Sequence, residues 1–333
     1  MERNPLYDRA KAIGMVLVIY GHMFTYGSIP FSIIFSFHMP LFFIISGMLL
    51  SPSKFEDVNY WGWIKIIMRK YVPPVIFFSV LGGFVRLILY GMPNLKKMGI
   101  DFILHMSSDE LLTGSIWFLS MLAFVMILMP YLLHVKVKLG GGYFCSFVIV
   151  VFLAIISYLM EKIHYTLPFL LKTVPVSLMF VFIGHQYRDI ILSITKSVTA
   201  KRNILLLFPL FLILAVLNKT VNLAVPKYND FFVYMFCALF GTLVTLQIST
   251  YKIPHFIEYL GRNSLIVFSL HAIWIGIFTD LLNFLLRTNY VPRLDIPFYY
   301  VLLGGVLVSF LSIISTMLVL PVYNTTMKFL GLR

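Results

Sequence analysis

Three histidines lie inside long apolar segments of this 333-residue chain, where an ionisable ring is costly unless it has a partner or a task. His22 ends the run MVLVIYGH, His38 lies in FSFHMPLFFIISG, and His271 ends the run SLIVFSLH. A neutral imidazole accepts a proton at one nitrogen, so each ring has the chemistry of a general base or a nucleophile. The plainer interpretation is that each ring bridges two helices by a hydrogen bond.

The spacing of these rings favours a shared site. Lys11 and His22 are eleven residues apart, close to three helical turns, so they share one helix face and lie roughly 16 Å apart along the axis. Counting along the helices places His22 and His38 level, and His271 lies roughly 12 Å into its own helix. We therefore predict that the three rings converge near the middle of a membrane, with Lys11 at its cytoplasmic side.

The elements that position these residues are predicted to be transmembrane helices. The chain is 60% hydrophobic and 12% charged, with a mean hydropathy of +0.93, which leaves too few polar residues to cover a globular surface. Windows of about 20 apolar residues predict an all-α polytopic membrane protein with about ten transmembrane helices in a single domain over residues 1–333. We place the helices near 9–26, 29–50, 71–90, 115–134, 142–160, 168–187, 203–218, 230–249, 264–286 and 297–323.

The charge distribution predicts how the chain is oriented. A formal charge of +13 is compatible with nucleic-acid binding, but basic residues on a membrane protein more often mark its cytoplasmic loops. If the N-terminus is cytoplasmic, most basic residues fall on the inside, Arg3, Lys54 and Arg333 among them. We therefore predict cytoplasmic N- and C-termini and no nucleic-acid partner. Cys145 and Cys237 lie in apolar runs, so we expect no disulfide and no metal.

Local features of the second helix predict a cavity and a close contact. Pro40 removes a backbone hydrogen bond near residue 36, so we expect a kink and a cavity beside His38. Ser46 and Gly47 are small, and the favoured interpretation is close helix packing. The stretch DFILHMSSDELL, which begins at residue 101, predicts an interfacial helix outside the membrane.

Two polar residues open the ninth predicted helix. Asn263 and Ser264 are both good N-caps, and Ser264 lies nearly on the same face as His271, seven residues later. Capping and contact with a bound ligand are both open. Asp280 is the only carboxylate well within a span, whereas a proton-coupled transporter usually has more, so the scarcity of acids weakens the transporter class.

Five segments carry a resemblance that extends over nearly the whole chain. They are YDRAKAIGMVLVIYGH (7–22), FHMPLFFIISG (37–47), SIWFL (115–119), YNDFFVYMFCALFGT (228–242) and YLGRNSLIVFSLH (259–271). These segments resemble the acyltransferase-3 family of integral membrane O-acyltransferases, in its branch close to fucose 4-O-acetylase. In that family a basic residue and a histidine with ten residues between them mark the active site, which implies Lys11 and His22 here. Many relatives have arginine in the first place, and lysine keeps the charge but loses bidentate phosphate geometry.

The resemblance implies a function and a set of site residues. It implies a multi-pass enzyme of the bacterial inner membrane that moves acetyl from cytoplasmic acetyl-CoA to a hydroxyl of a cell-surface or lipid-linked glycan. His22 would be the general base or would carry the acetyl group, and His38 would orient it or polarise the thioester. The residues expected to hold acetyl-CoA are Lys11, Arg69, Lys70, Arg262, Asn263, Ser264 and His271. Those expected at the glycan are Trp117, Asp109, Tyr228, Asp230 and Asp280, although interfacial aromatics are more often belt residues.

Other interpretations stay open at this point. A transporter or flippase for a glycan or its precursor is one rival class, and a non-catalytic membrane scaffold is another. The donor is acetyl or succinyl, and transfer is direct or passes through an acetyl-histidine. The sugar, the hydroxyl and the oligomeric state are not indicated by the residues.

Overall fold

The computed structural model describes residues 4–51, 59–112 and 114–332, and these are almost entirely helical. Arg3, Lys54 and Arg333, which support the predicted orientation, lie outside the described residues. The α-helices of the described part are α1 Pro5–Met23, α2 Ile29–Phe35, α3 His38–Met48, α4 Tyr60–Tyr90, α5 Leu95–His105, α6 Trp117–Lys138, α7 Gly142–Lys162, α8 Val174–Gln186, α9 Arg188–Lys196, α10 Val198–Leu217, α11 Phe231–Ile248, α12 His255–Arg262, α13 Ser264–Leu286 and α14 Phe298–Phe329.

The helices confirm the predicted all-α polytopic membrane fold. In the described part of the chain, nine segments are long and apolar enough to cross a membrane. The one predicted span missing from these nine is the first, near 9–26, which corresponds to α1. It carries Asp8, Arg9 and Lys11 near its start and is therefore less apolar than the others. It nevertheless lies within the bundle, packed against α3, α11, α12, α13 and α14, and residues such as Met15 are fully buried.

Successive long helices run in opposite directions, so their connections gather at two faces of the bundle. We define the N-terminal face as the one where α1 begins and where α12 packs on it. We define the loop face as the one formed by segments 24–28, 91–112, 218–230 and 287–297. The charge distribution predicts that the N-terminal face is cytoplasmic and that the loop face is outside.

The second predicted span is broken into α2 and α3, which confirms the expected kink. The break falls at Ser36 and Phe37, just before Pro40, the third residue of α3. The Ser36 hydroxyl donates to the Ile33 carbonyl at 2.7 Å, so a side chain supports the backbone where the helix is interrupted. The break places His38 at the first position of α3, facing a cavity.

Two glycines bring α3 and α8 into direct backbone contact. A Cβ added to Gly47 would lie 2.0 Å from the Val181 carbonyl oxygen, and one added to Gly184 would lie 2.0 Å from the Ile44 oxygen. These reciprocal contacts confirm the close packing predicted at Gly47, because only glycine allows the two backbones to approach this far. The contact holds α3, and with it His38, against the bundle.

The predicted start of the third span is wrong. Helix α4 begins at Tyr60 instead of near residue 71, and it continues through Pro73 and Pro74. Hydropathy windows stop at the charged residues that precede the apolar run, whereas a helix continues beyond the hydrocarbon region without regard to polarity. The predicted interfacial helix is present as α5, although it begins before residue 101 and is followed by a 3₁₀ turn at Asp109–Leu111.

Candidate active site

A cavity of about 520 Å³ reaches from the loop face down to the histidines. His22, Phe35 and His38 line its inner part, together with Phe268 and Ala272 of α13. The outer part is lined by polar residues of the connecting segments and by a few apolar ones. These outer residues include Lys97, Asp101, His105, Ser107, Ser108, Asp109, Trp117, Asn222 and Arg293. The kink at α2 and α3 therefore does adjoin a cavity, as predicted.

The structure confirms that the three buried histidines come together. The ring centroids of His22 and His271 are 5.0 Å apart, in an edge-on arrangement. Phe35 links the other two rings, since its centroid lies 6.2 Å from that of His22 and 4.7 Å from that of His38. His22 is half-buried because it faces the cavity, whereas His38 and His271 are 3% and 0% exposed.

Hydrogen bonds determine which nitrogen carries the proton in two of these rings. His38 Nδ1 contacts the Ile34 carbonyl oxygen at 2.9 Å, and His271 Nδ1 contacts that of Phe268 at 2.7 Å. A carbonyl only accepts, so Nδ1 donates in both rings and the lone pair lies at Nε2. The Nε2 of His271 is buried and has no hydrogen-bond partner among the described residues. It is an acceptor directed into the histidine cluster.

Arg293 is a residue of the histidine cluster that the sequence analysis missed. It lies in the connection between α13 and α14, and its Nη2 donates to Nδ1 of His22. The guanidinium also lies over the ring of Phe35, 5.6 Å from its centroid. The only signal in the sequence is an arginine in a loop predicted to be outside, where basic residues are less frequent. That signal does not indicate a contact with His22.

The backbone around Arg293 is held in an unusual conformation. Its φ of 67° lies in the left-handed region, which a residue with a Cβ seldom adopts and which is frequent at functional sites. The Arg293 carbonyl accepts a hydrogen bond from the Tyr26 backbone N–H at 2.6 Å. The turn that contains Arg293 is closed by Asp295, whose carboxylate accepts a hydrogen bond from the Val291 N–H at 2.7 Å. These bonds direct the arginine side chain inward.

The outer wall of the cavity is formed by α5 and the 3₁₀ turn after it. Asp101, His105 and Asp109 line the cavity from this segment, and Ser108 donates to Asp101 at 2.9 Å. The sequence analysis assigned no role to His105 because it lies outside the spans. Trp117, at the start of α6, does line the cavity, as its expected place near a glycan requires. The site thus has acidic, hydroxyl and aromatic groups above the histidines.

One carboxylate holds this outer wall in place. Glu110 accepts from Arg86, from Lys97 and from the backbone N–H of Asn94, each at 3.0 Å. The Asn94 N–H and the Lys97 ammonium hold the pKa of Glu110 below its usual value, because both favour the ionised carboxylate. Glu110 therefore joins α4 to α5 at the rim of the cavity.

We expect Glu110→Gln to loosen the outer wall at neutral pH, because an amide cannot accept all three hydrogen bonds as a carboxylate does. Hydrogen-exchange protection factors of residues 95–111 should fall severalfold at pH 7. A lowered pKa in the folded state stabilises the wall above the unfolded pKa, so wild-type protection should fall as the pH drops below about 4.5. Asp189→Asn is the matched control, because its carboxylate is 90% exposed. Equal protection in wild type and Glu110→Gln at pH 7 would contradict this role.

Two of the residues expected to hold acetyl-CoA, Lys11 and Arg262, lie at the N-terminal face. Lys11 Nζ lies 3.0 Å from Asp8 on the preceding turn. Gly261 allows α12 to pack on this part of α1, since a Cβ there would lie 1.7 Å from the Asp8 carbonyl oxygen. Arg262 follows directly, and its Nη2 lies 3.4 Å from Glu258. Lys11 and Arg262 therefore belong to neighbouring segments at one face.

Of the two interpretations left open for Asn263 and Ser264, side-chain capping of α13 is wrong. Asn263 occupies the N-cap position, but its amide donates back to the Tyr259 carbonyl at 3.1 Å, and no side-chain cap bond is made. The reason is that α12 ends where α13 begins, so the amide satisfies the end of one helix and not the start of the next. Ser264 is the first residue of α13 and is half-buried.

The remaining predicted residues lie away from the histidines. Arg69 and Lys70 are exposed on α4, where Arg69 lines an apolar groove between α4 and α14 and the Lys70 ammonium lies 4.9 Å from the centroid of the Tyr71 ring. Asp230 caps α11, accepting from the backbone N–H groups of residues 232 and 233 at 2.9 and 3.0 Å. Asp280 accepts from the Tyr90 hydroxyl. Neither aspartate lines the cavity, and neither does Tyr228, which is fully buried.

The fold and the site together define a class of protein: a polytopic membrane protein with a histidine cluster at the base of a polar cavity. The sequence profile of the acyltransferase-3 family, described as an acyltransferase domain, matches residues 4–321. The chain therefore belongs to this family and is a membrane acyltransferase.

Comparison with curated proteins adds a distant relative. Over 137 residues the chain is 28% identical to nodulation protein NolL of Mesorhizobium japonicum. The match covers 38% of this chain and 35% of that protein, so the chain spans about a third of the length of this relative. No solved structure matches the chain.

Proposed function

We propose that this acyltransferase moves an acetyl group from acetyl-CoA at the N-terminal face to a hydroxyl of a glycan that enters from the loop face. The observation that carries the proposal is the position of His22, which faces the polar cavity from the end of α1, the helix that carries Lys11 in its first half. The two residues lie roughly 16 Å apart along α1, a distance that the extended pantetheine arm of acetyl-CoA can span. Support for acetyl comes from the resemblance to the fucose 4-O-acetylase branch.

The donor side of the proposal rests on cations at the N-terminal face. Lys11 and Arg262 lie on segments that pack against each other through Gly261, and Arg9 is held nearby by Glu258 at 2.6 Å. Ammonium and guanidinium groups bind phosphates by charge-assisted hydrogen bonds, so these residues suit the phosphates of a nucleotide. Asn263 and Ser264 would then meet the pantetheine arm.

The acceptor side rests on the character of the cavity. Carboxylates, hydroxyls and an amide are the groups that bind the hydroxyls of a sugar, and aromatic rings pack on its apolar face. Asp101, Asp109 and Asn222 supply the first kind, and Trp117 supplies the second. Their position above His22 would direct one hydroxyl towards the ring. Asp230 and Asp280, which lie elsewhere, have no part in this arrangement.

The chemistry can be written with one base. In direct transfer, His22 takes the proton of the acceptor hydroxyl, the oxygen bonds to the thioester carbon, the carbon–sulfur bond breaks, and the proton passes from His22 to the leaving thiolate. In the two-step route, His22 bonds to the acyl carbon, the carbon–sulfur bond breaks and the thiolate leaves. The acceptor oxygen then bonds to that carbon, the carbon–nitrogen bond to His22 breaks, and the acceptor proton passes to the freed imidazole and on to the thiolate. His38 and His271 each accept at Nε2, and either would orient His22 by a hydrogen bond during the reaction.

Labelled acetyl-CoA tests the function directly. Vesicles that contain the protein should transfer label from acetyl-CoA to a glycan fraction, and mass spectrometry should show one added acetyl group per modified hydroxyl that is absent without the protein. Labelled succinyl-CoA in a parallel reaction distinguishes the two donors. Accumulation of glycan in vesicles that lack acetyl-CoA would instead show a transporter or flippase. No transfer and no accumulation, with folded protein, would favour a scaffold.

We expect Lys11→Gln to raise the KM for acetyl-CoA by about tenfold and to change kcat much less, because one charge-assisted phosphate contact is lost far from the reacting atoms. Initial rates at varied acetyl-CoA concentration measure the effect. Lys11→Arg should keep a wild-type KM or lower it, because arginine holds phosphate with two hydrogen bonds. Lys328→Gln removes an exposed charge from the same face and is the control. A wild-type KM in Lys11→Gln would contradict this placement of the donor.

A further inference from the structure

The reactive nitrogen of His22 is covered in this structure. A guanidinium has donors and no acceptor, so the contact from Arg293 Nη2 requires that His22 Nδ1 be the unprotonated nitrogen. A neutral imidazole has only one such nitrogen, and the other carries hydrogen. The same Nη2 lies 3.3 Å from His22 Nε2, so the guanidinium is close to both nitrogens of the ring. While Arg293 stays there, His22 can neither take a proton nor attack a thioester.

Both neighbouring histidines are less accessible than His22 in this state, although His38 also lines the cavity. His271 is fully buried, so its free Nε2 does not reach the cavity. His38 is only 3% exposed and uses its Nδ1 to hold the Ile34 carbonyl across the helix break. His22 is the half-exposed ring of the three, and it is the ring that Arg293 contacts. Chemistry at His22 therefore requires that Arg293 move.

The contacts of Arg293 allow such a movement. Its guanidinium contacts His22 and lies over Phe35, and in the part of the chain that the structure describes no carboxylate forms an ion pair with it. Asp109 is the acidic group that acts on it electrostatically, from the outer wall of the same cavity. A half-buried cation without a paired carboxylate is available for an anion that forms during a reaction.

We propose that Arg293 covers Nδ1 of His22 in the empty site, that the acceptor hydroxyl displaces it, and that its guanidinium then stabilises the oxyanion of the tetrahedral intermediate. This inference rests on the proposed acetyl transfer. The acceptor proton goes to His22, the acceptor oxygen bonds to the acyl carbon, and the former carbonyl oxygen carries the negative charge beside Arg293. Collapse of the intermediate breaks the carbon–sulfur bond, and the thiolate takes the proton from His22.

Covering and oxyanion stabilisation predict opposite effects of one substitution. Arg293→Gln should expose Nδ1, so acylation of His22 by diethylpyrocarbonate should become at least severalfold faster, measured by peptide mass spectrometry with the exposed His164 as the internal reference. The same variant should lose about 10²-fold in kcat, because removal of an oxyanion donor typically costs this much, while the KM for acetyl-CoA stays near wild type. Arg293→Lys keeps the charge and should recover part of kcat.

The controls separate failure of this inference from failure of the proposed function. Arg287 is exposed in the same connection and also has a positive φ of 54°, so Arg287→Gln should behave as wild type in both assays. Unchanged reactivity of His22 in folded Arg293→Gln and Arg293→Lys would overturn the covering role, and an unchanged kcat would overturn the oxyanion role. Faster labelling of His22 in a protein that transfers no acetyl group would support the covering contact and refute the acetyltransferase.

Discussion

Membranes that carry His22→Ala are expected to contain normal amounts of folded protein and to transfer labelled acetyl about 10³-fold more slowly than wild type. Position-specific proton transfer typically contributes about 10²–10⁴-fold to a rate, and here the same ring would also be the nucleophile of the two-step route. Alanine removes the most exposed ring of the cluster, because His38 also lines the cavity but is only 3% exposed and His271 is fully buried. Initial rates of transfer, normalised to the protein in the membrane, measure the effect.

Two comparisons sharpen the result for His22. His164→Gln removes an exposed histidine of the connection between α7 and α8 and should leave the rate unchanged. His271→Asn should fall between the two, because it removes an orienting acceptor without removing the base. Acetylation at the wild-type rate by His22→Ala would refute the mechanism, because the reaction would then proceed without the ring that is proposed as its base.

Gly184→Ala is expected to destabilise the folded protein by about 1–3 kcal/mol, the usual range for overpacking, even though alanine is the better helix former. The added Cβ would lie 2.0 Å from the Ile44 carbonyl oxygen, which belongs to a backbone that cannot turn aside as a side chain would. Helices α3 and α8 must then separate, and α3 carries His38. A lower midpoint of thermal unfolding in detergent measures the loss.

Gly99 provides the matched control for Gly184. It also lies within a helix, α5, and an added Cβ meets nothing within 4 Å. Gly99→Ala should therefore keep or raise the unfolding midpoint through helix propensity alone. Gly47→Ala, on the facing helix, should repeat the effect of Gly184→Ala. If Gly184→Ala is as stable as Gly99→Ala, the backbones are not in contact as described.

Much of the fold follows from local properties of the chain. Long apolar runs predict membrane spans because the hydrocarbon core excludes unpaired backbone groups, and nine such spans are present in the described residues. Hydropathy is a poorer guide where polarity changes within one helix. The charged residues at the start of α1 lower its mean hydropathy, and those at the start of α4 make the predicted span begin later than the helix does. The kink before His38 is predictable because Pro40 acts on its own helix.

The candidate site was likewise predictable in part. Turn counting places His22 and His38 level and His271 within a few residues of that depth, since the rise per residue is constant, and the three rings do meet. Depth alone does not say which residues of the connections return to the site. Asp230 and Asp280 have suitable chemistry and the right depth, yet each is engaged in a local contact away from the cavity.

By itself, then, the sequence determines a membrane bundle with a basic N-terminal face and a histidine cluster within it, because hydropathy and helical period act over a few turns of one segment. Only the tertiary structure decides that Arg293 reaches His22, that Glu110 holds the outer wall, and that α3 meets α8 at two glycines. His22 and Arg293 are separated by 271 positions in the chain, and such contacts depend on how the helices pack and how the loops close. No periodic pattern along the chain encodes that arrangement.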